Sequence, residues 1–195
     1  MSRGPKGFSD EEKQVLKEKL CQECEQRWAR FGYKKTSIGE LTAAVGISAG
    51  AFYLLFSSKE EFFFETLLTV QNRLKQKILS IIKEEQGKSG FLKALIWHFK
   101  EYERAPFLYD FGSPDYLAFL NKLSKDKIAE MQVDGKAFFF EIVEQCGLDM
   151  KIDEEKVYAA VSTLLYTVEL KKQTDFASEE IFELLLNSVI DHLFK

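Results

Sequence analysis

Residues 36–63, "TSIGELTAAVGISAGAFYLLFSSKEEFF", set two helical stretches, 37–45 and 48–55, on either side of a glycine. Each is shorter than the roughly 12 residues an isolated helix needs to persist in water, so each exists only if tertiary packing holds it. Thr36 or Ser37 caps the first, with Glu40 at capping-box distance. Gly46 ends it, because glycine takes φ > 0 at no steric cost. Ser48 caps the second. Ile38, Leu41, Ala44 and Val45 are expected to bury one side of the first. Ala51, Phe52 and Leu55 do the same for the second, with Trp28 and Phe31 as the opposing wall. Two stubby helices joined by a tight turn make a helix-turn-helix, whose second helix suits a DNA major groove while the first crosses the backbone.

The remainder of the chain is compatible only with more helix. Apolar residues recur at spacings of three and four, and there are 3 prolines in 195 residues, so the expected fold class is all-α. Ser9 before "DEE" caps a helix that carries Leu16, Leu20, Cys24 and Trp28 and stops at Gly32. Ser57 or Ser58 caps a long helix reaching about Glu85. "GKSG" (87–90) is a break, followed by a helix from about Ser89 to Arg104. Pro106 stops it and "DFGSPD" (110–115) is a loop. Helical patterning resumes from Pro114 to about Gly147, with a split at "DG" (134–135) left open, and two last helices span about Glu154–Lys172 and Ser178–Phe194.

Charge and cysteine usage narrow the classes. Residues 1–60 carry 10 Lys/Arg against 8 Asp/Glu, a net +2, whereas residues 61–195 carry 17 against 23, a net −6. This mild asymmetry suits an anionic partner for the first part. No run reaches the roughly 18 apolar residues of a membrane span, and "MSRGPKGFSDEEK" has no signal-peptide core. Three cysteines, an odd number, fit a reducing compartment, and a cytoplasmic location is expected. There is no Gly-rich phosphate loop and no spaced set of nucleophile, base and acid, so an enzyme is not expected.

Together with "WARFGYKKTS" just before it, the 36–63 stretch resembles the DNA-binding segment of TetR-family transcriptional regulators. The matching positions are Gly32, Tyr33, Thr36, Ser37, Ile38, Leu41, Ala44, Gly46, Ser48, Gly50, Tyr53, Phe56, Ser58, Lys59 and Glu60. The resemblance implies a helix-turn-helix DNA-binding domain over 1–57 and a C-terminal helical effector-binding and dimerisation domain over 58–195, about nine helices in all. It implies phosphate contacts from Thr36, Ser37, Tyr53 and Lys59, with Lys34 and Lys35 alongside. Ser48, Ala49, Gly50 and Ala51 form the leading turn of the recognition helix, small enough for close approach to base edges. Arg3 and Lys6 lie on a cationic arm, "SRGPKGF", suited either to a minor groove or to a disordered tail. Three departures stand out, one of them Thr42 on the first short helix, where the family commonly has Ala. The family often has His where this chain has Leu55, and the recognition helix carries no Arg, Lys, Asn or Gln.

Other features admit two readings each. Cys21 and Cys24 form a C-x-x-C, read either as redox or metal chemistry or as buried small hydrophobes; no metal or cofactor is expected. His98, in "LIWHFKEY", is either a pocket residue or a polar residue on a helix between domain surfaces. With Phe64, Trp97, Tyr102, Phe107 and Phe138 it makes the candidate effector-binding set. "EFFFE" (61–65) and "AFFFE" (137–141) each place three aromatics over nearly 300° of a helix, so at least one must face something other than the main core. Val157, Ala160, Val161, Leu164, Leu165 and Val168 form one wide apolar stripe. Ile181, Leu184, Leu185, Ser188, Val189 and His192 form another. These stripes serve either the chain's own core or, as the resemblance implies, a four-helix dimer interface.

The expected function is that of a homodimeric, ligand-responsive transcriptional regulator. It acts as a repressor on a palindromic double-stranded DNA operator and is released by a small apolar or aromatic effector. An activator would share this chemistry. The alternative is a helical ligand-binding or interaction protein whose DNA contacts have decayed.

Overall fold

A computed structural model describes residues 8–108, 110, 112–131, 135–168 and 178–195. The helices are α1 (Asp10–Lys35), α2 (Ile38–Val45), α3 (Ala49–Phe52), α4 (Lys59–Glu84) and α5 (Gly87–Arg104). After a 3-10 turn at Pro106–Leu108 come α6 (Pro114–Leu120), α7 (Lys125–Met131), α8 (Gly135–Gln145), α9 (Glu154–Tyr166) and α10 (Ser178–Leu193). Among the described residues the only β-type pairing is an isolated bridge between Met150 and Phe194. The fold is all-α with an N-terminal helix-turn-helix. No helix is long and apolar enough to cross a membrane among the described residues.

The helix starts follow the local chemistry of the chain. Ser9 and Glu12 form a reciprocal capping box at α1. Ser37 accepts the Glu40 N–H at α2, Ser48 the Ala51 N–H at α3, and Ser113 the Tyr116 N–H at α6. Gly46 closes α2 in the left-handed region, at φ 79°.

Packing shows where patterning misleads. α3 is regular for one turn only. Its continuation tightens into i→i+3 bonds, Leu54 N–H to Ala51 O at 3.2 Å and Leu55 N–H to Phe52 O at 2.9 Å. This winding brings Phe52, Leu55 and Phe56 inward together. "GKSG" is no break: Gly87 opens α5 and its N–H donates to Cys146 O at 3.0 Å. The continuous pattern from Pro114 to Gly147 becomes three helices. Tight bonds from Lys122 and Leu123 close α6, and Ser124 then accepts the Lys127 N–H to start α7. Phe31, expected as a wall, is 45% exposed, and Ala44 is exposed; Tyr33 and Thr42 are buried instead.

The chain divides into two compact units: residues 1–71 with 110–131, and residues 72–109 with 132–195. The first is built around an aromatic nucleus. Phe62 packs on Phe52 and Phe56, with centroids at 5.3 and 4.7 Å. Phe63 packs on Trp28 and Tyr33 at 4.8 and 4.9 Å. Phe119 of α6 closes the cluster against Trp28 at 5.1 Å. Phe64 is buried under the Lys127 ammonium of α7, 5.0 Å from the ring centre. The 61–65 triplet therefore buries all three rings, and it does so because α6 and α7 supply walls beyond those of the helix-turn-helix. Cys21 and Cys24 lie in the same core. Burial pushes both thiols up, which makes them poor nucleophiles and ligands.

The second unit buries Phe91, Phe99, Phe139, Val157, Val161, Phe182, Leu186 and Phe194 in one core. Phe99 and Phe182 stack at 4.2 Å with planes 9° apart.

Phe119 should matter to the first unit although it lies far along the chain. Phe119→Ala is expected to cost about 3–5 kcal/mol, as for large-to-small core changes generally. In a Trp97→Phe background this appears as a lower urea midpoint for Trp28 fluorescence.

Candidate nucleic-acid interface

The surface that α2 and α3 present is set by five residues before α2. Gly32, at φ 81° and ψ 172°, breaks α1 so that Tyr33–Lys35 form a separate turn. Tyr33 is buried, its hydroxyl donates to Glu60 Oε1 at 2.9 Å, and its carbonyl accepts from Lys59 Nζ at 2.8 Å. Burial, together with the bond to the Glu60 carboxylate, raises the Tyr33 pKa. Thr36 is 1% exposed and donates its hydroxyl to Gly32 O at 2.8 Å. Asp115 of α6 accepts the N–H groups of Tyr33 and Lys34 at 2.5 and 3.0 Å.

With this support in place, Lys34, Lys35 and Ser37 are exposed at the entry to α2. Ser48, Ala49 and Gly50 are exposed at the front of α3, Ala51 is half-buried, and Tyr53 is 57% exposed. Phe52, fully buried, is the anchor that holds this turn outward, edge-on to Tyr53 at 5.1 Å. Two expected phosphate contacts point elsewhere. The Thr36 hydroxyl is turned inward. The Lys59 ammonium is bonded to the Tyr33 carbonyl and lies 4.4 Å from the Tyr33 ring centre. Burial lowers the Lys59 pKa. Arg3 and Lys6 lie outside the described residues. Sequence reasoning missed Asp115, although Ser113-Pro114-Asp115 carried a helix-start signal; nothing in the local pattern pairs it with Gly32.

Of the candidate effector set, Phe64 belongs to the first unit, as described. In the second unit, Trp97 and Tyr102 pack against the core, Phe107 is buried, and Phe138 lies under the Lys75 ammonium at 5.3 Å. His98 Nδ1 is buried with no hydrogen-bond partner among the described residues, and the ring lies 4.4 Å from that of Tyr102. The imidazole keeps some accessible surface, yet protein atoms crowd it, and this desolvation lowers its pKa to about 4. Burial likewise raises Tyr102 to about 12. His98 is thus a neutral, polar group against the Tyr102 ring.

Of the two apolar stripes, Val157, Val161 and Val168 are spent in the chain's own core, so they cannot line an interface. Ala160, Leu164, Leu165 and Val189 are half-buried. α10 buries Phe182, Leu186 and Ile190 on one face. On another it leaves Ile181 40%, Leu184 62% and Leu185 38% exposed, beside exposed Ser188 and His192.

Residues 25–66 match the sequence model of the bacterial regulatory proteins, tetR family. No curated protein matches the chain significantly. Its fold is similar to that of a TetR family transcription regulator from Marinobacter aquaeolei VT8: TM-score 0.66, 17% identity, covering 96% of this chain and 100% of that one. It is also similar to SCO4454, a TetR-family transcriptional regulator from Streptomyces coelicolor: TM-score 0.67, 14% identity, covering 92% and 96%. A third similar structure is the transcriptional regulator FadR from Bacillus subtilis in complex with stearoyl-CoA: TM-score 0.62, 14% identity, covering 87% and 95%. At such identities the likeness is one of fold.

The His98 environment has a pH signature. Between pH 6.5 and 4 the unfolded chain binds a proton that the folded chain does not, so stability falls as pH drops through that window. At pH 5 the loss is expected to reach about 2 kcal/mol. A series of thermal melts from pH 7 to 5 should show a steeper decline for wild type than for His98→Phe.

Proposed function

We propose that this chain, a tetR-family protein by its residues 25–66, is a homodimeric repressor whose exposed α3 reads a palindromic operator and whose second unit binds the releasing effector. The observation that carries this reading is the Phe52-anchored turn. Ser48, Ala49, Gly50 and Tyr53 stand at the surface while Phe52 beside them is fully buried. Small side chains let the backbone approach base edges, and alanine methyls suit thymine methyls. Lys34, Lys35, Ser37 and Tyr53 supply the phosphate contacts, with Thr36 and Lys59 as internal supports. With no Arg, Lys, Asn or Gln on α3, much of the selectivity falls to DNA shape, and the arm bearing Arg3 and Lys6 adds a minor-groove contact.

A palindrome calls for two copies. The exposed Ile181, Leu184 and Leu185 on α10 suit an isologous helix-to-helix contact, with Ser188 and half-buried Ala160 allowing close approach. The effector is a small apolar or aromatic molecule, accommodated by Trp97, Tyr102 and Phe138 with His98 as the polar point. It releases DNA only insofar as it prefers the arrangement that does not bind the operator.

Two measurements test the reading. In mobility shifts across a salt series, wild type should form a sequence-selective complex. Lys34→Ala with Lys35→Ala should weaken it on all sequences and lower the salt slope by about 2, one per phosphate contact. No selective complex on any duplex favours a ligand-binding protein with decayed DNA contacts. Leu184→Glu should convert the dimer to monomer in analytical ultracentrifugation and weaken operator binding by about 100-fold or more, since the second half-site contact ceases to be intramolecular.

A further inference from the structure

The reversal at Gly32 leaves the amides of Tyr33 and Lys34 as the first donors after a break in α1, and one carboxylate takes both. Asp115 Oδ2 accepts from Tyr33 at 2.5 Å and Oδ1 from Lys34 at 3.0 Å. The approach is so close that a Cβ on residue 32 would lie 2.6 Å from Asp115 Oδ2. Gly32 is therefore demanded twice, by its φ of 81° and by the carboxylate. Asp115 is held in turn. It sits at the second position of α6, whose first turn is set by Ser113 and Pro114 and whose Phe119 is locked against Trp28 and Tyr33.

Asp115 lies some fifty residues beyond the tetR-matching stretch 25–66, on a segment whose neighbours in sequence, 72–109 and 132–195, belong to the second unit. We propose that Asp115 is a positioning residue for DNA binding: by clamping the amides of Tyr33 and Lys34 it fixes the direction in which Lys34, Lys35 and the start of α2 meet the phosphate backbone. The inference rests on the DNA-binding reading above. It adds to that reading a residue that never touches DNA and repels phosphate by its charge, yet raises affinity. Hydrogen bonds to a charged acceptor are among the stronger ones in proteins, and a bidentate pair fixes orientation as well as distance. Without the clamp, the 33–35 turn keeps its Lys59 and Glu60 contacts through Tyr33, but the backbone carrying the Lys34 ammonium is free to swing.

The test uses the full-length dimer and a duplex that wild type selects from a randomised pool. Asp115→Asn preserves the shape of the side chain but turns an N–H₂ toward one of the two amide donors. Affinity is expected to fall by about tenfold or more, from the loss of one charge-assisted bond and the weakening of the other. Thermal melts and the amide exchange of Tyr33 and Lys34 are followed in parallel, and exchange at those two amides should rise. A role confined to stability is separated by coupling. In wild type, Lys34→Ala should lower the salt slope by about 1, whereas in the Asp115→Asn background it should change neither slope nor affinity. Asp115→Glu, which keeps the charge but moves it by one methylene, should restore less than half of the lost binding free energy. If Asp115→Asn binds the duplex like wild type, or if the Lys34→Ala effect is the same in both backgrounds, the inference is overturned while the regulator reading stands. If wild type selects no duplex at all, both fall.

Discussion

The surface that α2 and α3 present depends on how the chain turns between Gly32 and Thr36. Helix α1 cannot continue through a glycine at φ 81°, so the following amides must find partners elsewhere. They find Asp115, while the Tyr33 carbonyl takes Lys59, the Tyr33 hydroxyl takes Glu60, and the Thr36 hydroxyl takes the Gly32 carbonyl. Five polar connections within five residues set the angle at which α2 leaves. α3 follows α2 through the Gly46 turn, and so the exposed front of α3 inherits that angle.

The aromatic nucleus explains why α6 and α7 are drawn into the first unit. Three consecutive phenylalanines on α4 present rings over most of the helix circumference, and a helix-turn-helix covers only part of it. Phe62 is satisfied by Phe52 and Phe56, but Phe63 and Phe64 need Phe119 and Lys127 as well. The same demand places Asp115 opposite Gly32, since α6 must lie against α1 to bring Phe119 to Trp28. Hydrophobic burial and the polar clamp are thus two consequences of one packing requirement.

The residues around this surface divide into those that face outward and those that hold them. Thr36 and Lys59 are chemically suited to phosphate contacts. In the folded chain their polar atoms are already engaged with backbone carbonyls, and they serve as supports. His98 shows the converse. Its neighbours along the helix admit either a pocket residue or a polar residue between domain surfaces, and the structure places a neutral imidazole, one nitrogen without a partner among the described residues, against Tyr102.

The local code was readable in the sequence wherever one turn of chain decides the outcome. Ser9, Ser37, Ser48 and Ser113 cap helices because a hydroxyl three residues before a free amide is enough, and Gly46 and Gly32 end them because only glycine tolerates that backbone. Period-three and period-four patterning, together with the ordered match from Gly32 to Glu60, identified the all-helical fold and the helix-turn-helix. The outcome of competition between distant surfaces was not readable. Whether Val157 and Val161 serve the core or an interface, whether Phe31 or Tyr33 is the buried aromatic, and that Asp115 answers Gly32 across more than eighty residues are settled by which faces meet. A side chain's neighbours along a helix fix its direction, but the partner it meets is chosen by the packing of the whole unit.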